Sequence, residues 1–231
     1  MNTLKSWSSV SEKIHVELFC PPLERAPLSF PDLEQMCKNV VYCRDHYVEG
    51  LFIKCPAGKD VFVPDSEMRM WVLSRMMWNA DLKGEVLVRD WMRGVYGNAA
   101  GPMIEYWKQV QKAVSPGGGE ANSSTGLSEY LDDRWLDAAE LIFQKAYALS
   151  LTDSIARRYV RKARLSLWYL RLLQVQDSIM KGKNPDDAAR ANYLERLDRL
   201  EKEFREFGYD RISETRDLNQ FAREIRTALG K

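Results

Sequence analysis

Residues 62–114, FVPDSEMRMWVLSRMMWNADLKGEVLVRDWMRGVYGNAAGPMIEYWKQVQKAV, hold four of the chain's seven tryptophans and read as three helices separated by short breaks. Pro64-Asp65 opens the first, with the Asp65 carboxylate placed to accept from the free N–H groups of the first turn. Met68, Met70, Trp71, Val72, Leu73, Met76, Met77 and Trp78 cover nearly its whole circumference, the pattern of a buried helix. Leu87, Val88, Trp91, Met92 and Val95 share one face of the second helix, and Gly97 suits a left-handed stop. Pro102 starts the third, where Met103, Trp107, Val110 and Val114 keep helical spacing. The tryptophans at 71, 78, 91 and 107 are expected in the core, because wide apolar faces surround them.

Upstream, Leu4 to Lys13 reads as a short helix, and Ile14 to Cys20 as a strand ended by Pro21-Pro22. Pro31 opens a helix carrying Leu33, Met36, Cys37, Val40 and Val41, and Val48 to Cys55 forms a second strand that Pro56-Ala57-Gly58 closes. Strand, helix, strand, helix is the order of parallel βαβ units. Downstream, SPGGGEANSSTG (residues 115–126) has the composition of a linker.

Everything beyond the linker is helical. Trp135, Ala139, Ile142, Ala146 and Leu149 line one helix. A long helix from about Asp153 to Ile179 carries Tyr159, Ala163, Leu167 and Leu170 on one side. Asn184-Pro185 caps the next, in which Tyr193, Leu197, Leu200, Phe204 and Phe207 recur at spacings of four and three before Gly208 stops it. Asp217 with Gln220 forms a capping-box pattern for a last helix with Leu218, Phe221, Ile225 and Leu229. The fold class is therefore mainly α: a short βαβα segment followed by an antiparallel helical bundle. Residues 1–114 and 127–231 are the two expected domains, with 115–126 between them.

The totals exclude several classes. Lys+Arg 34 against Asp+Glu 33 leaves a formal charge of +1, which gives no support to nucleic-acid or acidic-membrane binding. The cluster Arg157, Arg158, Arg161, Lys162 and Arg164 is expected to face the acid-rich helix Glu195 to Glu206 as ion pairs. Within that helix Glu195–Arg199, Asp198–Lys202 and Glu201–Arg205 have the spacing of intrahelical pairs. Cys20, Cys37, Cys43 and Cys55 form no CxxC pair, and two histidines offer little for zinc, so no metal and no cofactor is expected. No stretch approaches the ~20 apolar residues of a membrane span, and MNTLKSWSSV lacks the apolar core of a signal peptide. A native start at Met1 places the chain in the cytoplasm; a piece of a secreted protein would be exported.

Five stretches carry a resemblance to a known family: LKSWSSVSEKIHV (4–16), FPDLEQMCKNVVYCRDHYVEGLF (30–52), SEMRMW through IEYW (66–107), RRYVRKARLSLWYLRL (157–172) and FREFGYDRISETRDLNQF (204–221). With them the chain resembles the C-terminal part of the bacterial glycoside-hydrolase-like family called domain of unknown function 4838, distantly similar to α-glucuronidase-type barrels. The resemblance implies the end of a (β/α)8 barrel followed by a helical domain, acting on or near carbohydrate. A complete barrel takes ~250 residues and eight strands, whereas two strand–helix units are counted here.

Glycosidases need two facing carboxylates. In the family the last strand usually ends with Glu, where this chain has Ile53-Lys54-Cys55, so catalytic residues stay unassigned. Glu17, the one acid inside a strand run near a barrel mouth, and Lys54, placed to meet an anionic sugar such as a uronate, are the candidate substrate-binding residues. The expected role is structural, closing a barrel and appending a bundle. The alternatives are a stand-alone helical module binding a protein or polysaccharide, and a glycosidase completed by a second chain. The expected partners are a carbohydrate ligand and either a missing N-terminal barrel half or a second copy, since two strands leave exposed edges that invite pairing.

Overall fold

The structure is a computed structural model and describes residues 3–19, 33–54, 60–114, 132–212 and 216–230. In chain order its elements are α1 (Thr3–Ser8), β1 (Ile14–Phe19), α2 (Leu33–Asp45), β2 (Val48–Lys54), α3 (Ser66–Trp78), α4 (Gly84–Tyr96), a 3-10 turn (Gly97–Ala99), α5 (Ala100–Val114), α6 (Asp133–Leu149), α7 (Ser154–Met180), α8 (Asp187–Glu206) and α9 (Leu218–Ala228). The chain is thus mainly α with a short βαβα segment, as the periodicities require. The proposed linker, Cys20, Cys55 and the proline turns at 21–22, 31 and 56 lie outside the described residues.

β1 and β2 pair in parallel, with Val16 beside Leu51 and Leu18 beside Ile53, and an irregularity between Ile14 and His15. Alternation along a strand sends successive side chains to opposite faces. Leu18, Leu51 and Ile53 turn towards the helices and pack against their core, while Glu17, Phe19, Phe52 and Lys54 are exposed.

Two apolar cores share one helix. The larger draws Met36 and Val40 from α2, Val72 and Met76 from α3, Val88 and Met92 from α4, Met103 and Val110 from α5, and Phe143 and Ala146 from α6. Residues from both sides of the 115–126 stretch therefore pack together, as α5 lies against α6 and α4 against α7. The second core is built by α8, α9 and the later part of α7, with Leu197, Leu200, Phe204, Phe221 and Ile225 fully buried.

The helix common to both cores is α7, about 40 Å long at 1.5 Å per residue for its 27 residues. At 100° per residue, Val160, Leu167 and Leu170 fall on one side and enter the first core. Leu165, Tyr169 and Leu172 fall on the opposite side and enter the second. An apolar stripe on each side is what a helix wedged between two cores demands.

Phe62 is, among the described residues, the one member of the second core that precedes α7. Its ring meets Phe204 edge-on at 5.1 Å and Tyr209 at 5.4 Å. The Phe62 N–H donates to the Arg211 carbonyl at 3.0 Å, and the Asp60 carbonyl accepts from the amides of Asp210 and Arg211. Residues 60–62 are thereby stitched into the helical bundle.

Several local expectations are corrected. The helix α3 is not buried all round: Met68, Val72, Leu73 and Met76 face inward, whereas Met70, Met77 and Trp78 are exposed, Trp78 by 92%. Only the side towards α2 and α4 is covered, so an all-round apolar sequence ends half in water. Asp65 does precede α3, but its backbone is left-handed (φ 55°), and its side chain makes no capping hydrogen bond to the first turn. That conformation aims the carboxylate elsewhere than at the free amides.

The cap of α8 is Asp186, whose carboxylate accepts from the Ala189 amide, rather than Asn184-Pro185. Asp217 caps α9 through the amides of Asn219 and Gln220. The Gln220 side chain reaches forward to Glu224, so only half of the capping box forms. Gly208, at φ 81°, occupies the left-handed stop after α8.

Ion pairs join the elements. Arg161 reaches Glu203 and Glu206 on α8, as expected of the basic cluster, but Arg164 turns to Glu140 on α6 and Lys162 to Glu67 on α3. Glu195–Arg199 and Glu201–Arg205 pair within α8, whereas Asp198 pairs with Arg226 on α9 instead of Lys202.

Candidate functional site

Two regions gather chemistry. The first is the outward face of the sheet. Glu17 stands beside Phe52, and Phe19 beside Lys54, so the two sequence-predicted residues share one exposed face on neighbouring strands. Among the described residues no ion pair joins Glu17 to Lys54; the Lys54 ammonium instead lies 5.7 Å from the Phe19 ring centroid. Phe19 and Phe52 are each 61% exposed, leaving an apolar patch rimmed by charge. The C-terminal ends of both strands, Phe19 and Lys54, carry no carboxylate. His46, at the end of α2, stacks on Tyr42 and lies 2.9 Å from its own helix's Tyr42 carbonyl through Nδ1, a structural position.

The second region is a cleft between the start of α3, the facing sides of α4 and α5, and the middle of α7, with a cavity of about 30 Å³. Trp91, Tyr96 and Tyr159 meet pairwise at 5.9–6.3 Å between centroids and at 79–85° between planes, which makes a corner of three aromatic walls. Tyr106 and Trp107 from α5 extend it. Tyr96 and Tyr106 are buried, and burial first, then the Asp65 carboxylate, pushes both phenols above the usual tyrosine range. Both hydroxyls therefore stay protonated through neutral pH.

Charge of both signs enters the same cleft. The Lys162 ammonium lies 2.8 Å from the Glu67 carboxylate and has 14% of its side chain exposed. Burial alone would lower its pKa, but Glu67 and Tyr209 outweigh that, and the net shift is upward. Lys162 is thus held charged. Ser166, one turn further along α7, lines the cleft and is 3% exposed. Among the described residues no three His, Cys, Asp or Glu side chains converge as metal ligands, and no described helix is long and apolar enough to cross a membrane.

Against protein-family models, residues 1–109 match the domain of unknown function DUF4838. That match covers 109 of the chain's 231 residues. No curated protein and no solved structure matches the chain. The DUF4838 segment contains the whole sheet and the α3, α4 and α5 walls of the cleft up to Gln109. The wall formed by Tyr159, Lys162 and Ser166 comes from beyond it.

Sequence reasoning missed this cleft because each contributor has an ordinary local explanation. Tyr96 and Tyr106 read as helix-face aromatics, and Lys162 as one charge in a basic run. In the structure Asp65 keeps a left-handed backbone at a helix start although it is not glycine, which the sequence does not announce. Such a residue is held there by its surroundings.

Proposed function

We propose that this chain supplies the closing strand–helix units and the appended helical bundle of a glycoside-hydrolase-like, carbohydrate-active protein, in a structural role and without catalysis of its own. The supporting observation is the sheet. Parallel sheets occur almost always with several strands and both faces covered. Here two parallel strands have helices on one face, and an exposed Phe19/Phe52 patch on the other. Strands from outside this chain would cover that patch and pair with the open edges.

A barrel's catalytic groups sit at the C-terminal ends of its strands. Phe19 and Lys54 occupy those ends in this chain, so the pair of carboxylates that glycoside cleavage needs would have to come from elsewhere. Glu17 and Lys54 then serve as rim residues of the completed barrel mouth, with Lys54 turned to an anionic sugar.

The test is light scattering across a concentration series, alone and with a co-expressed barrel segment of a DUF4838 protein. The wild-type chain is expected to associate. Phe19→Lys with Phe52→Lys, both at exposed positions, is expected to abolish association without unfolding the helices. A monodisperse wild-type monomer with slow amide exchange in both strands would refute the proposal. So would aryl glycoside or aryl glucuronide turnover by the chain alone that disappears in Glu17→Gln.

A further inference from the structure

We infer that the groove between α2, the start of α4 and the later half of α5 binds a small amphiphilic carboxylate, with its hydrocarbon chain along the groove walls and its anionic head beside Lys83, Lys108 and Gln111. The groove has a volume of about 550 Å³, within the range of about 300–1,000 Å³ over which small-molecule sites occur. Leu33 and Val41 of α2, Met76 of α3, Leu82, Val88 of α4 and Trp107 of α5 supply its apolar walls. Cys37 stands among them as an uncharged thiol, since burial, with Glu34 adding, pushes it up to about 11. Gly84 lets α4 come this close to α2, because a Cβ there would lie 2.6 Å from the Cys37 sulfur.

The polar groups left over around these walls are donors. Glu34 pairs with Lys38 at 2.7 Å and Glu85 pairs with Arg89, so both acids of the lining are matched within their own helices. Lys83 and Lys108 are exposed and make no ion pair with any described residue. Gln111 lies one turn after Lys108 on the same face of α5 and lines the groove. Its amide nitrogen is shut off from solvent and has no acceptor among the described residues. Buried donors are nearly always satisfied, by protein, water or ligand. The helix α4 begins in the groove wall with Lys83 as its cap residue, a donor-only side chain that cannot accept from the free N–H groups of the first turn. Two ammoniums, a primary amide and a helix N-terminus together favour one acceptor-rich, negatively charged group.

The walls select the rest of the ligand. A cation would meet Lys83 and Lys108 with no unmatched acid to balance it. A bare inorganic anion would leave the apolar walls unfilled, and a sugar acid would set its hydroxyls against Val41, Leu82 and Val88. A carboxylate on a hydrocarbon chain suits both halves of the groove. Each methylene buried is expected to tighten binding about three- to fourfold, and octanoate to bind with a dissociation constant of about 0.1–1 mM. Capture here is independent of whether the sheet is completed from outside, because none of the lining residues lies on the strands.

The experiment titrates the full chain with hexanoate, octanoate, 1-octanol and octylammonium. It follows the Trp107 indole N–H signal by nuclear magnetic resonance. A saturable shift with octanoate is expected, about tenfold weaker with hexanoate, which has two methylenes fewer. The alcohol and the ammonium, which share the octanoate chain but not its charge, are expected to bind at least about fivefold more weakly. Lys83→Gln and Lys108→Gln change exposed side chains, and each is expected to weaken octanoate binding about two- to fivefold. Gln111→Leu keeps the volume, removes the unmatched donor and is expected to weaken it about fivefold. Three results would overturn the inference. One is no saturable shift with octanoate up to about 10 mM, a level well above the dissociation constant expected here. Another is octanol or octylammonium binding as tightly as octanoate. The third is octanoate binding indifferent to all three substitutions. A Trp107 shift that follows protein concentration with no ligand present would assign the groove to a second copy of the chain and would equally overturn it.

Discussion

Replacing Phe62 by Ala tests how the two cores are joined. Phe62 is 1% exposed and reaches from the segment before α3 into a core otherwise made by α7, α8, α9 and the turn at Ile212. Truncating a fully buried phenylalanine costs about 3–5 kcal/mol in lost transfer energy and residual cavity. Its two edge-to-face contacts, with Phe204 and Tyr209, account for about 1–3 kcal/mol of this. With a urea slope of roughly 2–3 kcal/mol/M, the midpoint should fall by roughly 1–2 M. Tryptophan fluorescence and far-ultraviolet circular dichroism should shift together, since α7 belongs to both cores. Phe62→Leu, which keeps most of the volume and loses the ring contacts, should cost about 1–2 kcal/mol. A midpoint change below about 0.3 M for Phe62→Ala would refute its role as the joint.

Three other outcomes follow from the packing and the ionisations. A protease site inserted within 115–126 should yield two pieces that co-elute on size exclusion, because the α5–α6 and α4–α7 contacts are buried; pieces that separate would show that the halves hold no common core. Gly84→Ala would place its new Cβ 2.6 Å from the Cys37 sulfur where α2 meets α4, and should cost about 1–3 kcal/mol, measured by thermal melting. Adding Cys37→Ala should recover part of that loss.

The stability should also decline in alkali. Burial, with Glu34 adding, pushes the Cys37 thiol up to about 11, and burial raises Tyr96 and Tyr106. A raised pKa stabilises the fold fully below the unfolded value and loses that contribution as pH rises towards the folded one. Melting temperatures should therefore fall from about pH 8.5–9 through Cys37, and further above about pH 10 through the tyrosines. Cys37→Ala should flatten the first part and Tyr106→Phe the second.

The chain's sequence by itself determined the elements. Apolar spacing of three and four, caps such as Asp153 and Asp217, and stops such as Gly208 are local, and local energies set where helices begin and end. The alternation in Ile14–Phe19 and the helix before Val48 were equally sufficient for a parallel pair. The family likeness was legible too, in the three stretches that the match over residues 1–109 covers; the two at 157–172 and 204–221 lie beyond that match.

What tertiary structure alone decided is which apolar face meets which. Trp78 and Val72 lie on one apolar helix, yet one is 92% exposed and the other fully buried, because α2 and α4 cover only one side. The division of α7 between two cores, and the reach of Phe62 into the second, depend on contacts across more than a hundred residues. The cleft belongs to the same class. Tyr96, Tyr106, Glu67, Lys162 and Ser166 come from four helices spread over 100 positions, so no spacing in the sequence brings them together.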